Sequence, residues 1–349
     1  MHGIVLAGSF AWSDSRLDRL RARPLLPVAL QPLISYTFRW LQQSGVEDAV
    51  VCLNQASRSV RAAVEGDGHG LRLAVHEDLL PRGPAGCARD AGLASDADTF
   101  VIADSCAIPT VDLADVLVTH RASGAIATVV VEREQPREWS HRPSVPSGMF
   151  VFERRALELV PEKGFQDIKE NLIPRLYQAG EHVAAHVARV RTIRVRNAKT
   201  YVDANYMTLA GMLQRGVVPR DFVLSGDALI HKSAQVDPGS RILGPVLVGP
   251  DCRIMPRATV VGPSVLGAGT AVAFDAVLSR SLAWESCVVG PRSVVDGCVL
   301  ADNVVVESNA HLCGEIRVPA PRTVILPRTR AERTRTRSPF GLWPRPETR

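Results

Sequence analysis

Two patterns of apolar residues divide this chain of 349 residues. In the first part, short and almost wholly apolar runs alternate with longer stretches in which apolar residues recur every three or four positions, a pattern that predicts buried strands alternating with helices. Strands are predicted at 3–8, 48–54, 71–77, 100–104, 125–132 and 148–152, and helices at 32–44, 57–65, 113–121 and 167–180, with further helices opening after 81–87 and at 201. This alternation predicts an α/β fold with a mostly parallel, doubly wound sheet.

From Ile230 onward the pattern changes to a period of six. An aliphatic residue recurs at every sixth position, and a mostly small residue follows each of them four positions later. This pattern predicts a parallel β-helix of hexapeptide repeats, in which the aliphatic side chain points inward and the small residue fits a corner. The register slips near 279–288 and resumes to about Val306, which predicts about four or five coils. The aliphatic series is Ile230, Val236, Ile242, Val248, Ile254, Val260, Leu266, Val272 and Leu278.

These patterns predict three segments. Residues 1–226 form the α/β domain, residues 227–320 the β-helix, and residues 321–349 a disordered tail rich in Arg and Pro. The chain has a net charge of +5, but residues 322–349 hold eight Arg and two Glu, so the residues before them sum to −1. The basicity therefore belongs to the tail and predicts no nucleic-acid-binding face.

The cysteines and the hydropathy indicate the compartment. The seven cysteines are scattered and never form a C-x-x-C pair, which predicts reduced, metal-free thiols. No apolar run approaches the roughly 20 residues of a membrane span, and no basic segment precedes an apolar stretch as in a signal peptide. We therefore expect a cytoplasmic protein.

The candidate chemistry lies where predicted strands end. Ligands of doubly wound sheets bind at the carboxyl ends of the strands, and that edge holds Gly8, Gly86 and Asp104. A glycine turn after a buried strand lets backbone N–H groups approach a phosphate. The sequence therefore predicts a phosphate-containing ligand at this edge.

Four motifs resemble those of the sugar-1-phosphate nucleotidyltransferases, also called NDP-sugar pyrophosphorylases. They are Leu6-Ala7-Gly8 followed by Arg23-Pro24-Leu25-Leu26-Pro27-Val28 and Gln31-Pro32-Leu33-Ile34, the loop Pro81–Cys87, the strand ending at Asp104, and Tyr201–Asn205. A β-helix after the catalytic domain is a common plan in that family, so the resemblance covers roughly residues 1–320. It implies a Rossmann-like domain of GT-A type followed by a left-handed parallel β-helix.

The resemblance implies nucleotidyl transfer from an NTP to a hexose 1-phosphate with Mg²⁺, as in mannose-1-phosphate guanylyltransferases or glucose-1-phosphate nucleotidyltransferases. Asp104 would hold the metal and act in catalysis with Arg23, which neutralises phosphate. Lys169, with Gly148, would contact the sugar phosphate, although a solvated helix face is the competing interpretation. The nucleotide-binding residues implied are Leu6, Ala7, Gly8, Ser9, Gly83 and Gly86.

The chain also departs from the family pattern. Ser9–Ser13 replaces Gly-x-Gly-Thr-Arg, and Arg23 replaces a Lys whose reach and geometry differ. Arg194 stands where the family has its second metal-binding Asp, and a cation there opposes Mg²⁺. The family's Glu-Lys-Pro segment is absent before Gly148; Glu132 and Glu134 are predicted to solvate that loop instead.

These departures support a second hypothesis, a catalytically degenerate homologue. Such a chain would be a regulatory or scaffold subunit that binds a nucleotide or nucleotide-sugar weakly or not at all. Under either hypothesis we expect a homo- or hetero-oligomer that associates through the β-helix.

Overall fold

The computed structural model describes residues 1–8, 17, 20–54, 58–66, 70–78, 80, 82–132 and 145–319. The predicted tail lies outside this range. The elements before residue 226 are β1 His2–Leu6, a 3₁₀ turn Arg23–Leu25, β2 Pro27–Val28, β3 Gln31–Pro32, α1 Leu33–Gln43, β4 Asp48–Asn54, α2 Arg58–Gly66, β5 Arg72–Asp78, α3 Gly83–Leu93, β6 Thr99–Asp104, β7 Ala107–Ile108, α4 Leu113–Ser123, β8 Ala127–Glu132, β9 Val145–Glu153, α5 Arg154–Glu158, a π-helix Ile168–Leu172, α6 Ile173–Gln178, β10 Val183–Ala188, β11 Ile193–Arg194, α7 Ala198–Gln214 and β12 Phe222–Ser225.

A seven-stranded sheet forms the centre of this part, in the order β10-β8-β9-β6-β1-β4-β5. Neighbouring strands are parallel except for β9, which runs antiparallel to both β6 and β8. The central strands read as apolar runs because helices cover both faces of the sheet, and all six residues of β8 are buried. The predicted doubly wound, mostly parallel sheet is confirmed.

Local capping sets where the helices begin. α7 begins at Ala198, three residues before the predicted start, because Asn197 and Thr200 form a reciprocal capping box. The predicted helix at 167–180 is a π-helix followed by α6. Asp167 caps the π-helix through the backbone N–H groups of Lys169 and Glu170, at 2.7 and 3.0 Å.

The remaining strands build the β-helix. They are β13 Ala228–His231, β14 Gln235–Val236, β15 Arg241–Leu243, β16 Val246–Val248, β17 Arg253–Ile254, β18 Thr259–Val261, β19 Ser264–Leu266, β20 Ala271–Val272, β21 Val277–Ser279, β22 Leu282–Ala283, β23 Val288–Val289, β24 Val294–Asp296, β25 Val299–Leu300, β26 Val305–Val306, β27 His311–Cys313 and β28 Ile316–Arg317.

These strands stack in three parallel sheets, two of them five-stranded, so the described residues contain five stacked coils. The register explains the predicted slip. Ile230 pairs with Val248 and Val248 with Leu266, 18 residues apart, whereas Leu266 pairs with Ala283, 17 residues apart. The predicted inward residues from Val248 to Leu278 are at most 2% exposed. The inward residues of the first coil, Ile230, Val236 and Ile242, are half-buried. At this end of the β-helix, β12 pairs antiparallel with β13.

The two parts share one apolar core. Tyr201 of α7 is buried against Trp284 of the β-helix, and Arg21 lies over the Trp284 ring while its guanidinium pairs with Asp302 at 2.7 Å. The predicted division at residue 227 stays a prediction, since the core that contains Tyr201 continues into the coils. Within the described ranges, no helix is both long and apolar enough to cross a bilayer.

Candidate functional site

A cavity of about 350 Å³ opens at the carboxyl edge of the central sheet. Four neighbouring strands end in it, contributing Leu6 from β1, Asn54 from β4, Asp78 from β5 and Asp104 from β6. This is the edge where parallel sheets bind ligands. The parallel pairing of these strands therefore brings together side chains that are far apart in the sequence.

Most of the predicted site residues meet in this cavity. Those that line it are Leu6, Gly8, Arg23, Gly83, Asp104, Gly148 and Lys169. Two others do not line it: Ala7 is fully buried, and Gly86 lies on the buried side of α3. Ser9 lies outside the described residues. The cavity thus brings most of the predicted site residues together, while the roles given to these residues stay predictions.

Gly83 shapes the loop that enters α3. Its φ of +74° is a conformation that favours glycine, and a Cβ there would lie 2.5 Å from the Gln166 carbonyl oxygen. The same Gln166 carbonyl accepts a hydrogen bond from Ala85 N at 2.9 Å, and Gln166 N donates to Arg82 O at 2.7 Å. These bonds fix the start of α3 against the segment that carries Lys169.

Asp104 ends β6 and is held by its neighbours. Its Oδ1 accepts a hydrogen bond from Cys106 N at 2.9 Å. Gly148 has φ +86°, and a Cβ on it would lie only 3.3 Å from the Asp104 Cβ. The absence of a side chain at Gly148 therefore keeps the space beside the carboxylate open.

Arg194 and Glu132 form a partly buried ion pair at the same end of the cavity. Arg194 Nη2 lies 3.5 Å from Glu132 Oε1, and their side chains are 13% and 9% exposed. Glu132 Oε1 also accepts from Thr192 N at 2.9 Å, and Arg194 donates to the Pro146 carbonyl. The prediction that Glu132 solvates a loop is wrong, because β11 and the turn before it cover the end of β8. Glu134 lies outside the described residues.

The positive charges concentrate near Asp104. Arg23, Lys169, Arg194 and Arg196 all line the cavity. Burial, and then the charge of Arg194, lower the pKa of Lys169, while Asp104 acts in the opposite direction. Burial likewise lowers the pKa of Arg194 against the opposing effect of Glu132. These mutual effects indicate cations that are close enough to act on one anionic ligand.

The lining residues that were neither predicted site residues nor part of a predicted motif include Asn54, Asp78, Asp167 and Arg196. The rule that selected Asp104 also applies to two of them, since Asn54 and Asp78 end β4 and β5. Arg82 and Cys87, which also line the cavity, belong to the motif Pro81–Cys87 but were not predicted individually. Arg82 is fixed by Asp90, whose carboxylate lies 2.8 Å from Arg82 Nε.

Comparisons with known proteins agree with this architecture. A protein-family model described as the GMPPB C-terminal domain matches residues 224–325. The chain is 23% identical to a UTP–glucose-1-phosphate uridylyltransferase of Synechocystis sp. over 351 residues, covering 87% of each chain. It is 24% identical to a mannose-1-phosphate guanylyltransferase of Mycobacterium tuberculosis over 314 residues, covering 79% of this chain and 82% of that one.

A third relative is itself described as bifunctional. The protein GlmU of Pelobacter propionicus is 23% identical over 342 residues, with 88% of this chain and 72% of that protein covered. Each of these three alignments covers between 79% and 88% of this chain. The chain is therefore similar, along most of its length, to sugar-1-phosphate nucleotidyltransferases.

Proposed function

We propose that this protein transfers a nucleotidyl group from a nucleoside triphosphate to a hexose 1-phosphate and releases pyrophosphate. The observation that supports this most directly is the cavity in which Gly8, Gly83, Arg23, Asp104 and Lys169 meet. Each of these residues stands where the family resemblance places a substrate-binding residue. The similarity of this chain to nucleotidyltransferases, and the activities for which those relatives are named, support the same reaction.

The chain's own residues would act by positioning and charge. In this reaction an oxygen of the sugar phosphate attacks the α-phosphorus and the bond to pyrophosphate breaks, so negative charge accumulates on phosphate oxygens. Fixed cations aimed at that charge stabilise the transition state. Arg23, Lys169 and Arg194 are the cations that would do so, and the backbone around Gly8 and Gly83 would allow close approach of the nucleotide.

Mg²⁺ fits this cavity as a shared ion. Mg²⁺ is commonly bound through one or two carboxylates plus substrate phosphates. Of the lining carboxylates that the structure describes, Asp167 caps the π-helix and Asp78 pairs with His76, which leaves Asp104 as the ligand beside the cations. When bound there, the ion would neutralise phosphate charge.

The comparisons do not favour the alternative of a non-catalytic subunit, since the relatives reported above carry the names of enzymes or of a bifunctional protein. The base and the sugar are not distinguished by the lining residues. A cytoplasmic location and assembly through the β-helix remain part of this proposal, supported by the seven unpaired cysteines and the exposed outer coils.

The test is pyrophosphate release by the purified full-length protein. Each of the common nucleoside triphosphates is incubated with Mg²⁺ and with glucose 1-phosphate or mannose 1-phosphate, beside an active relative in the same assay. We expect one pairing to release pyrophosphate and Asp104→Asn to lose most of that activity. Asp237→Asn, on an exposed turn of the β-helix, is the matched control and should retain it.

If no pairing releases pyrophosphate while the relative is active in the same assay, the proposal is contradicted. A thermal-shift series with nucleotides and nucleotide-sugars then distinguishes the alternative, because a ligand that binds the folded state raises its apparent stability. Stabilisation without turnover would identify a binding subunit.

A further inference from the structure

A second cluster of ligand-type side chains lies in the wall of the same cavity, beside the loop that carries Gly83. His76 and Asp78 alternate on β5 and therefore project from the same face of the strand. Cys87 belongs to α3, which begins directly after the loop following β5. One donor atom from each of these three residues lies within 4.8 Å of the other two.

We propose that His76, Asp78 and Cys87 form a site for a transition-metal ion of the Zn²⁺ type, with the thiol of Cys52 beside it as a fourth donor. This site would lie in the same cavity as the proposed nucleotide site, beside Gly83, but its donors are side chains to which the proposed nucleotidyl transfer gives no role. The spacing of the cysteines in the sequence predicted metal-free thiols. The fold, however, brings Cys87 close to His76 and Asp78.

The distances suit a small tetrahedral ion. Ligands bound to Zn²⁺ at about 2.0–2.3 Å lie roughly 3.3–3.8 Å apart in a tetrahedron. His76 Nε2 and Asp78 Oδ1 are 3.3 Å apart, within that range. The Cys87 sulfur lies within 4.8 Å of a donor atom of each of these two residues.

The sheet register places Cys52 at the same point. Cys52 on β4 pairs directly with His76 on β5, so the two side chains project from the same face. The Cys52 Sγ atom lies 3.9 Å from the Cys87 carbonyl oxygen, which brings the sulfur to the beginning of α3. Nitrogen, carboxylate and sulfur donors in one cluster favour Zn²⁺ over Mg²⁺, which prefers oxygen ligands.

The surroundings permit a cation. With Asp78 and the thiols of Cys87 and Cys52 ionised, the cluster would carry three negative charges, which attract a divalent ion. The positive charge of Arg82 is paired with Asp90 at 2.8 Å, and that of Arg89 with Glu162 at 3.1 Å. Cys87 is only 6% exposed, and the Asp78 side chain 10%, so the ion would be shielded from solvent.

Proton release accompanies binding at such a site. Cysteine and histidine bind a metal ion only after losing a proton, so binding releases protons and metal affinity should increase with pH.

The experiment is a titration of the metal-stripped, tag-free, full-length protein with Co²⁺, followed by displacement with Zn²⁺. We expect saturation at one equivalent, tetrahedral d–d bands, a thiolate-to-cobalt charge-transfer band and complete displacement by Zn²⁺. His76→Gln and Asp78→Asn should each weaken Co²⁺ binding at least about tenfold. Cys87→Ser should also reduce the charge-transfer band by about half.

Cys313→Ser is the matched control, because Cys313 is an exposed cysteine on β27. It should leave both the affinity and the spectrum unchanged. The proposal is overturned if the wild-type protein shows no saturable thiolate band, if His76→Gln and Asp78→Asn bind Co²⁺ as tightly as the wild type, or if Cys313→Ser removes the band. His76 and Asp78 are partly exposed on a strand, so their variants test the site even where Cys87→Ser disturbs folding.

Discussion

The Tyr201 hydroxyl joins the α/β part to the β-helix, and its removal gives a sharp stability prediction. The hydroxyl donates a hydrogen bond to the Pro27 carbonyl oxygen at 2.7 Å and accepts one from Trp284 Nε1 at 2.8 Å. Tyr201 is 1% exposed and Trp284 3% exposed, so both bonds are shielded from bulk water. Burial raises the pKa of Tyr201, which keeps the hydroxyl protonated.

The magnitude follows from these contacts. Tyr201→Phe removes two hydrogen bonds, each worth about 1 kcal/mol net, and a buried donor left without an acceptor costs about 1–3 kcal/mol. The Pro27 carbonyl keeps a longer contact of 3.4 Å from Asn205 Nδ2, which reduces the loss on that side. The edge-to-face contact of the rings, at 6.4 Å between centroids, survives in the variant. We therefore expect a loss of about 2–4 kcal/mol in the free energy of unfolding.

Equilibrium urea unfolding, followed by circular dichroism, measures this loss. Tyr177→Phe is the matched control, because Tyr177 on α6 is 60% exposed and its variant should stay within about 0.5 kcal/mol of the wild type. A double variant with Trp284→Phe removes the orphaned donor, so its loss should be smaller than the sum of the single losses. A Tyr201→Phe protein as stable as the control would refute the assignment of this hydroxyl as a link between the two parts.

Three further predictions concern the ligand edge. Gly83→Ala should cost about 2–4 kcal/mol by urea unfolding, because φ is +74° and the new methyl group would meet a backbone oxygen at 2.5 Å. Burial raises the pKa of Asp90, but hydrogen bonds from Arg82 and Arg89 outweigh it and hold that pKa below its usual value. The stability that Asp90 contributes is therefore fully present above the unfolded pKa of about 3.9, and the deficit of Asp90→Asn should shrink as the pH falls from that value through the lower pKa of the folded state. Arg194→Asp should make pyrophosphate binding depend on Mg²⁺ far more than in the wild type, as measured by calorimetry with and without EDTA.

The sequence predicted the elements whose pattern is set by burial. The strands of the central sheet are continuous apolar runs because both faces are covered, and the inward residues of the coils recur with the repeat of the backbone. The start of α7 was missed because its capping box is made of polar residues outside the apolar pattern. Local hydrogen bonding, rather than hydrophobic periodicity, fixes that boundary.

The site residues that could be predicted were those marked by the end of a buried strand or by a motif that resembles the nucleotidyltransferases. Asp104 followed from its place after a buried run. The Glu132–Arg194 pair did not, because its partners are 62 positions apart and meet only when β11 packs at the end of β8. The metal-ligand cluster likewise depends on the pairing of β4 with β5 and on the docking of α3. Side chains joined by tertiary packing carry no spacing signal in the sequence.

The charge of the cavity around Asp104, Lys169 and Arg194 connects these observations. Two carboxylates and the Mg²⁺ ion that they hold have a total charge of zero. The Asp104 carboxylate and the Arg194 guanidinium also have a total charge of zero, without an ion. On the proposed function, Arg194 in place of a second carboxylate would supply a positive charge that is part of the chain, and Glu132, 3.5 Å away, both holds the guanidinium in place and offsets part of its charge. Burial, and then the charge of Arg194, lower the pKa of the neighbouring Lys169. A preorganised guanidinium needs no ion to be recruited from solution, and it can contact phosphate oxygens through two N–H groups at once. It follows that ligand binding should need Mg²⁺ less than bond formation does, since only the charge that develops in the transition state remains for the ion to neutralise.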